Sequence, residues 1–195
     1  MAAVDLAKLG LIFLKNATSG EREELRSLWR EQAVVIIFLR RFGCQVCRWT
    51  AVEISKLKED LTANSVALVG VGPEEMGLKE FQNELYIDEK KQTYKDLGFK
   101  RYNAVSVVPA ALGKKVRNII TKANADGIQG NFSGDLLQSG GMVIIAKGGE
   151  KVLLHFAQDS PGDYVPLENV VKALGITTSA QQGLRPQCHA DVCTR

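Results

Sequence analysis

Residues 33–47 read Ala33-Val34-Val35-Ile36-Ile37-Phe38-Leu39-Arg40-Arg41-Phe42-Gly43-Cys44-Gln45-Val46-Cys47, and this stretch decides the fold. Its first seven residues form an unbroken apolar run rich in β-branched side chains, which predicts a strand covered on both faces. The Cys44–Cys47 motif (CxxC) then opens a helical pattern, with apolar residues recurring on one face as far as Leu61. A helix N-terminus favours a thiolate, and the thiolate is the reactive form of cysteine. The order strand, CxxC, helix therefore predicts a dithiol redox site.

Metal binding is the alternative interpretation of the CxxC motif, since two cysteines at this spacing can form half of a zinc site. The remaining candidate ligands are Cys188, Cys193, His155 and His189. Cys188, His189 and Cys193 lie in a polar C-terminal segment, away from the predicted strands. The sequence favours redox chemistry and predicts no metal.

Size and charge exclude several classes of protein. The chain has 195 residues, and we predict one domain over residues 1–175 followed by a polar, disordered tail over residues 176–195. A net charge of +3 is too small to indicate nucleic-acid binding. No apolar run approaches the roughly 18 residues of a transmembrane segment. Residues 1–17 do not resemble a signal peptide, so we expect a cytoplasmic protein in the reducing cytosol.

The remaining pattern alternates strands with helices. Residues 6–14 fit a helix or a strand equally well. Helices are predicted over 21–30, 47–61, after Pro73, and over 89–97, 109–123 and 166–174, and further strands over 66–71, 84–87, 142–146 and 152–156. The last two strands are separated by a short Gly-containing turn and form a hairpin. This order predicts an α/β fold of the thioredoxin-like type, in which helices flank a mixed sheet.

Gly70-Val71-Gly72 follows a predicted strand and suggests a dinucleotide-binding turn. The third glycine of such a motif is displaced to Gly77, and Pro73 interrupts the turn. We therefore predict no nicotinamide-nucleotide site of the Rossmann type in this chain.

Several longer runs carry a resemblance to a known family. They are residues 24–31, 39–44, 46–49, 68–74, 127–131 and 133–141, together with Leu97-Gly98-Phe99-Lys100-Arg101-Tyr102-Asn103 and Ser160-Pro161-Gly162-Asp163-Tyr164-Val165-Pro166. On these runs the chain resembles the prostamide/prostaglandin F synthases, a peroxiredoxin-like family of the thioredoxin-fold superfamily. The resemblance covers roughly residues 4–166.

The resemblance implies an oxidoreductase that acts on lipid endoperoxides. Its substrates would be prostaglandin H2 and prostamide H2, which would be reduced to the F-series diols. NADPH would be the ultimate reductant, with a carrier such as thioredoxin between it and the disulfide. No bound metal or prosthetic group is expected.

Cys44 and Cys47 are the predicted catalytic pair. Exposure and thiolate character favour Cys44 as the nucleophile and Cys47 as the resolving cysteine. The Thr-x-x-Cys pattern of peroxiredoxins would instead make Cys47 the attacking residue. Arg40, Arg41 and Arg48 could support a thiolate electrostatically, or they could be solvated charges. Phe42 and Trp49 could line a substrate groove, although such residues more often serve packing.

Two other functions use the same motif. A general thiol peroxidase would act on hydrogen peroxide or lipid hydroperoxides. A redox-sensing adaptor would change its partner binding on disulfide formation and would not turn over any peroxide.

Overall fold

A computed structural model describes residues 4–74, 84–132, 134–178, 187–189 and 192–194. The strands are β1 Phe13–Asn16, β2 Arg22–Glu24, β3 Ala33–Phe38, β4 Val66–Gly72, β5 Glu84–Ile87, β6 Gly141–Ile145, β7 Val152–Ala157, β8 Gln187–His189 and β9 Val192–Thr194. The helices are α1 Leu6–Gly10, α2 Ser27–Arg30, α3 Gln45–Ser55, α4 Lys58–Ala63, α5 Gln92–Asp96, α6 Ala104–Ala111, α7 Lys114–Ala125 and α8 Leu167–Leu174.

Strand β3 is the centre of a mixed sheet, whose order is β2-β1-β5-β4-β3-β6-β7. It pairs in parallel with β4 and antiparallel with β6. Val35 and Ile37 pack into one apolar cluster, whereas Val34 and Ile36 pack into a second cluster on the opposite face. This alternation follows from the two-residue period of a strand, so the predicted doubly covered strand is confirmed.

The sequence interpretation was wrong over residues 21–30, which were predicted as one helix. The first part of this segment is strand β2, which pairs antiparallel with β1, and only Ser27–Arg30 is helical. Asn16 accepts hydrogen bonds from the backbone N–H groups of Thr18 and Ser19 and so fixes the turn between the two strands. Pairing with β1 overrides the helical preference of the charged residues in β2.

Two predicted helices are each divided. The helix over 47–61 is divided into α3 and α4, because the backbone N–H groups of Lys56 and Leu57 bond to carbonyls three residues earlier. The helix over 109–123 is replaced by α6 and α7, which are separated at Gly113 in an extended conformation. Pro109 therefore lies inside α6 and does not begin a helix.

The other predicted elements that lie within the described residues are confirmed. Strands β4 and β5 run parallel, and β6 and β7 form the predicted hairpin. Helix α8 ends at Gly175, which adopts φ +66° and closes the helix as a left-handed cap. The helix predicted after Pro73 extends into residues 75–83, outside the described residues. Within the part of the chain that the structure describes, no helix has the length and apolar character needed to cross a bilayer.

The division into a domain over 1–175 and a disordered tail stays a prediction. In the described part of the tail, β8 and β9 pair with each other as a two-stranded antiparallel ribbon.

Asp135 holds the segment 134–140, which leads into β6. Its carboxylate forms ion pairs with Lys91 and Arg101 and accepts a hydrogen bond from the backbone N–H of Leu137. Burial acts to raise the pKa of Asp135, but the hydrogen bonds from Arg101 and Lys91 hold it well below its usual range. The folded state is therefore stabilised by the ionised carboxylate.

We expect Asp135→Asn to lower the free energy of unfolding by about 1–3 kcal/mol at neutral pH, because two charge-assisted hydrogen bonds are weakened. The contribution of the carboxylate is complete above its unfolded pKa and is lost as the pH falls through the lower folded value, so the two proteins should converge in acid. Urea denaturation at several pH values measures this difference. Asp126→Asn, at the exposed end of α7, is the matched control and should change stability by less than about 0.5 kcal/mol. Equal effects of the two substitutions would contradict the assignment.

Candidate active site

Cys44 occupies the N-cap of helix α3. Its backbone is extended, and its Sγ atom accepts a hydrogen bond of 3.4 Å from the backbone N–H of Cys47. The residue lies just beyond the carboxyl end of β3, where the chain turns from the sheet into the helix. The N-cap position gives this sulfur a backbone donor and the positive end of the helix dipole.

The two cysteines have opposite pKa shifts. A hydrogen bond from the Cys47 side chain, with the charges of Arg40 and Arg41 in support, lowers the pKa of Cys44 to about 6 against the opposing effect of burial. The same hydrogen bond, burial and the neighbouring Cys44 charge raise the pKa of Cys47 well above its ordinary value. Both residues are unpaired thiols. At neutral pH the pair therefore holds a single proton, on Cys47, and Cys44 carries the negative charge.

Arg40 is buried beneath the cysteine pair and binds the segment 134–140. Its guanidinium donates to the backbone carbonyls of Gln138 and Leu136, both at 2.9 Å, and lies over the ring of Tyr102 at 5.2 Å. A carbonyl oxygen satisfies a donor without neutralising the cation. Arg40 therefore keeps a net positive charge close to Cys44.

Arg41 and Arg48 bind the segment 128–131, which lies across the CxxC turn. Arg41 donates to the carbonyl of Asn131, and Arg48 donates to that of Gln129 at 2.9 Å. Arg48 also donates to the carbonyl of Phe42 at 2.7 Å. Both arginines thus hold the segment 128–131 against the CxxC turn by hydrogen bonds. Their electrostatic role in catalysis stays a prediction.

Gln45 and Gly130 are site residues that the sequence interpretation did not identify. The Gln45 side chain donates to the carbonyl of Ile128 at 2.8 Å. A Cβ atom at Gly130 would lie 2.6 Å from the backbone nitrogen of Gln45, so only glycine permits this approach. The run 127–131 formed part of the family resemblance, but nothing local in it indicates contact with the CxxC turn.

Phe42 and Trp49 are both buried, each with 3% of its surface exposed. The ring of Phe42 fills the space above Gly72, where a Cβ atom would lie 1.8 Å from it. Gly72 therefore accommodates an aromatic ring within β4. Trp49 packs edge-to-face against Tyr164, with ring centroids 5.4 Å apart. That either residue lines the substrate groove stays a prediction.

Three cavities have lining residues in common, and one of them reaches Cys47. A passage of about 20 Å³ is lined by Cys47 and Arg40. An α8 arm of about 330 Å³ lies between Trp49 and the start of α8, and an α7 arm of about 410 Å³ lies along helix α7. Tyr164 lines all three cavities, and Lys122 lines both arms. The sequence interpretation missed these two residues, although Tyr164 belongs to a run that carried the family resemblance.

Access from the cavities and the pKa shifts favour different cysteines as the attacking residue. The passage reaches Cys47, whereas the charge distribution favours a thiolate on Cys44. The N-cap hydrogen bond is made to the Cys44 sulfur, and a thiolate is required for attack, so Cys44 stays the predicted nucleophile.

No cluster of three metal-ligating side chains occurs among the described residues of the chain. His155, a candidate ligand in the metal interpretation, lies in β7, where its Nε2 atom is 3.0 Å from the carbonyl oxygen of Leu97. Burial lowers the pKa of His155.

Comparison with known proteins gives full-length relatives. The chain is 69% identical over 201 residues to prostamide/prostaglandin F synthase of Salmo salar and 67% identical over 201 residues to that of Xenopus laevis, with all of both chains covered. It is 58% identical over 198 residues to the Homo sapiens protein of the same name, covering 98% of this chain and 100% of the relative. The family model described as AhpC/TSA antioxidant enzyme matches residues 53–160, a range that begins after the CxxC motif.

Solved structures share the fold at low sequence identity. A mutant of Xanthomonas campestris peroxiredoxin Q aligns with a TM-score of 0.57 at 12% identity and covers 87% of this chain and 92% of its own. A peroxiredoxin Q mutant of Xylella fastidiosa aligns with a TM-score of 0.59 at 12% identity, covering 90% and 94%. The predicted thioredoxin-like, peroxiredoxin-like fold is therefore confirmed.

The pKa order of the pair predicts the pH dependence of alkylation. In a Cys188→Ser, Cys193→Ser background, the rate of Cys44 modification by iodoacetamide should be half-maximal near pH 6 and fall below it, as the thiolate is protonated. Cys47→Ala removes the donor and should move the midpoint up toward the ordinary value of 9.0. Cys47→Ser keeps a hydroxyl donor and is the matched control, with a smaller shift. Mass spectrometry of the labelled peptide measures the rates. An unchanged midpoint in Cys47→Ala would contradict the hydrogen-bond assignment.

Proposed function

The chain belongs to the prostamide/prostaglandin F synthases and, more broadly, to the AhpC/TSA antioxidant enzymes, and from this premise we propose its reaction. It reduces the endoperoxide of prostaglandin H2 and of prostamide H2 to the F-series diol, with Cys44 as nucleophile and Cys47 as resolving cysteine. The observation that carries the proposal is the position of the Cys44 sulfur at the N-cap of α3, hydrogen-bonded by the backbone N–H of Cys47, in a chain matched end to end by relatives of that name.

The first step breaks the O–O bond. The Cys44 thiolate attacks one peroxide oxygen, an S–O bond forms, and the other oxygen leaves with the electron pair as an alkoxide. Cys47 holds the proton of the pair and can give it to this alkoxide. The positive charge of Arg40 supports the negative charge while it moves from sulfur to oxygen.

The second step releases the product. Cys47, now deprotonated, attacks the Cys44 sulfur, an S–S bond forms, and the S–O bond breaks. The second oxygen leaves as an alkoxide and takes a proton from solvent. The cysteine pair has then lost two electrons and the one proton that it held, the second proton has come from solvent, and the endoperoxide has become a diol. One cysteine alone cannot complete this sequence.

The disulfide must be reduced before the next turnover. A dithiol carrier such as thioredoxin can exchange with it, and NADPH is then the ultimate reductant. With such a carrier no dinucleotide turn is needed in this chain, and Gly70 and Gly72 lie within β4. A reducing compartment such as the cytosol would keep both cysteines reduced, and cell fractionation tests whether the protein is located there.

Anaerobic single turnover of the pre-reduced protein with prostaglandin H2 tests the reaction. We expect one prostaglandin F for each Cys44–Cys47 pair oxidised, since the electrons come from that pair alone. Product is quantified by mass spectrometry and thiols by titration, in the Cys188→Ser, Cys193→Ser background. Loss of thiols without prostaglandin F would exclude the proposed substrate.

Serine variants assign the roles of the two cysteines. Cys44→Ser should reduce product formation to the rate without protein, because the attacking thiolate is absent. Cys47→Ser should break the O–O bond once and stop at a covalent S–O adduct on Cys44, detectable in the intact-protein mass. The reverse pattern, with the adduct on Cys47 in Cys44→Ser, would make Cys47 the nucleophile.

A general thiol peroxidase is the second candidate, favoured by the peroxiredoxin-like fold and by the antioxidant-enzyme family match. It predicts faster oxidation of the pair by hydrogen peroxide than by prostaglandin H2. Rates of disulfide formation with the two oxidants, measured on the same reduced protein, separate the candidates. A redox-sensing adaptor predicts no steady-state turnover with either.

A further inference from the structure

Helix α7 presents a regular stripe of residues to the α7 arm. Lys115, Asn118, Ile119 and Lys122 all line this cavity. Residues three, four and seven positions apart share one face of a helix, so the sequence itself places them together. The stripe begins and ends with a lysine, and an apolar side chain lies between them.

The two lysines of the stripe differ in their partners. Lys115 forms an ion pair of 2.9 Å with Asp163. The Lys122 ammonium lies 5.4 Å from the ring centroid of Trp49, a cation–π arrangement, and has no carboxylate partner among the described residues. Lys122 therefore contributes a positive charge at the junction of the two arms, whereas the charge of Lys115 is already compensated.

The balance of charge also differs between the two arms. In the α8 arm Lys122 is joined by Glu53 and Glu168, which would repel an anion. Glu53 is paired with Lys56, and Glu168 lies in the first turn of α8. In the α7 arm the charged side chains are Lys115, Lys122 and Asp163, so that positive charge is in excess. An anionic group is therefore accommodated better in the α7 arm.

We infer that the α7 arm binds the carboxylate-bearing chain of the endoperoxide substrate and that Lys122 is its ionic partner. The proposal rests on the proposed function. Both arms meet at Tyr164, which also lines the passage to Cys47. A substrate with two chains can thus place one in each arm while its peroxide bridge faces the passage. Lys122 is then a specificity-determining residue, because it favours the free acid, prostaglandin H2, over the neutral ethanolamide, prostamide H2.

Steady-state kinetics with the two substrates test this inference. Lys122→Gln should raise the ratio of KM for prostaglandin H2 to KM for prostamide H2 by about two- to fivefold, the loss expected for one exposed ion pair. Lys122→Arg keeps the charge and should restore most of the ratio. Lys114→Gln, which removes an exposed lysine from the same helix outside the cavity, is the matched control and should leave the ratio as it is. An unchanged ratio in Lys122→Gln would overturn the inference and leave the proposed function standing.

Binding of the unreactive products separates this inference from the proposed function. Calorimetry with prostaglandin F and its ethanolamide needs no turnover, and the protein should bind the acid more tightly in a manner lost in Lys122→Gln. Preferential acid binding without reduction of prostaglandin H2 would support the carboxylate site and refute the proposed reaction. Equal binding of acid and ethanolamide by the unaltered protein would overturn the carboxylate site.

Discussion

The structure depends on one local arrangement, the placement of the Cys44 sulfur at the N-cap of α3 directly after the central strand. The hydrogen bond from the Cys47 backbone N–H fixes this sulfur, and the helix dipole stabilises its charge. Because β3 is covered on both faces, its carboxyl end can present the turn to a buried environment. Strand β3 therefore positions the Cys44 sulfur, and the N-terminus of α3 stabilises its negative charge. Cys47, one helical turn further on, donates a hydrogen bond to the same sulfur.

A buried thiolate also explains why two loop segments are ordered around the turn. Arg40 and Arg41 bring positive charge close to Cys44, and their donors, like those of Arg48, require acceptors. Carboxylates would satisfy those donors but would cancel the charge that lowers the pKa of Cys44. Backbone carbonyls of segment 134–140 satisfy Arg40 and leave its charge in place, and carbonyls of segment 128–131 accept hydrogen bonds from Arg41 and Arg48. The same contacts therefore hold the loops and keep the site positive.

Local sequence patterns were sufficient to predict four elements: the central strand, the CxxC–helix junction, the late hairpin and the closing helix. Each of these depends on periodicity or on a turn residue within a few positions. Local periodicity wrongly predicted a helix at β2, whose strand conformation depends on pairing with β1. It also did not predict the break between α6 and α7. It also missed Lys122 and Tyr164, since a lysine on a helix stripe carries no sign that Trp49 lies beneath it. Contacts with other elements determine the conformation of β2 and the surroundings of Lys122 and Tyr164.

The dimensions of the three cavities bear on which part of a substrate can react. The passage, at about 20 Å³, has room for roughly one water-sized group. The arms, at about 330 and 410 Å³, have room for hydrocarbon chains. Under the proposed function, only the peroxide bridge can approach the sulfurs while the carbon chains stay in the arms. Hydrogen peroxide would fit the passage but would leave the arms empty and gain no binding energy from them. Selectivity for a lipid endoperoxide would therefore come from the arms, and the chemistry at sulfur would be common to any peroxide.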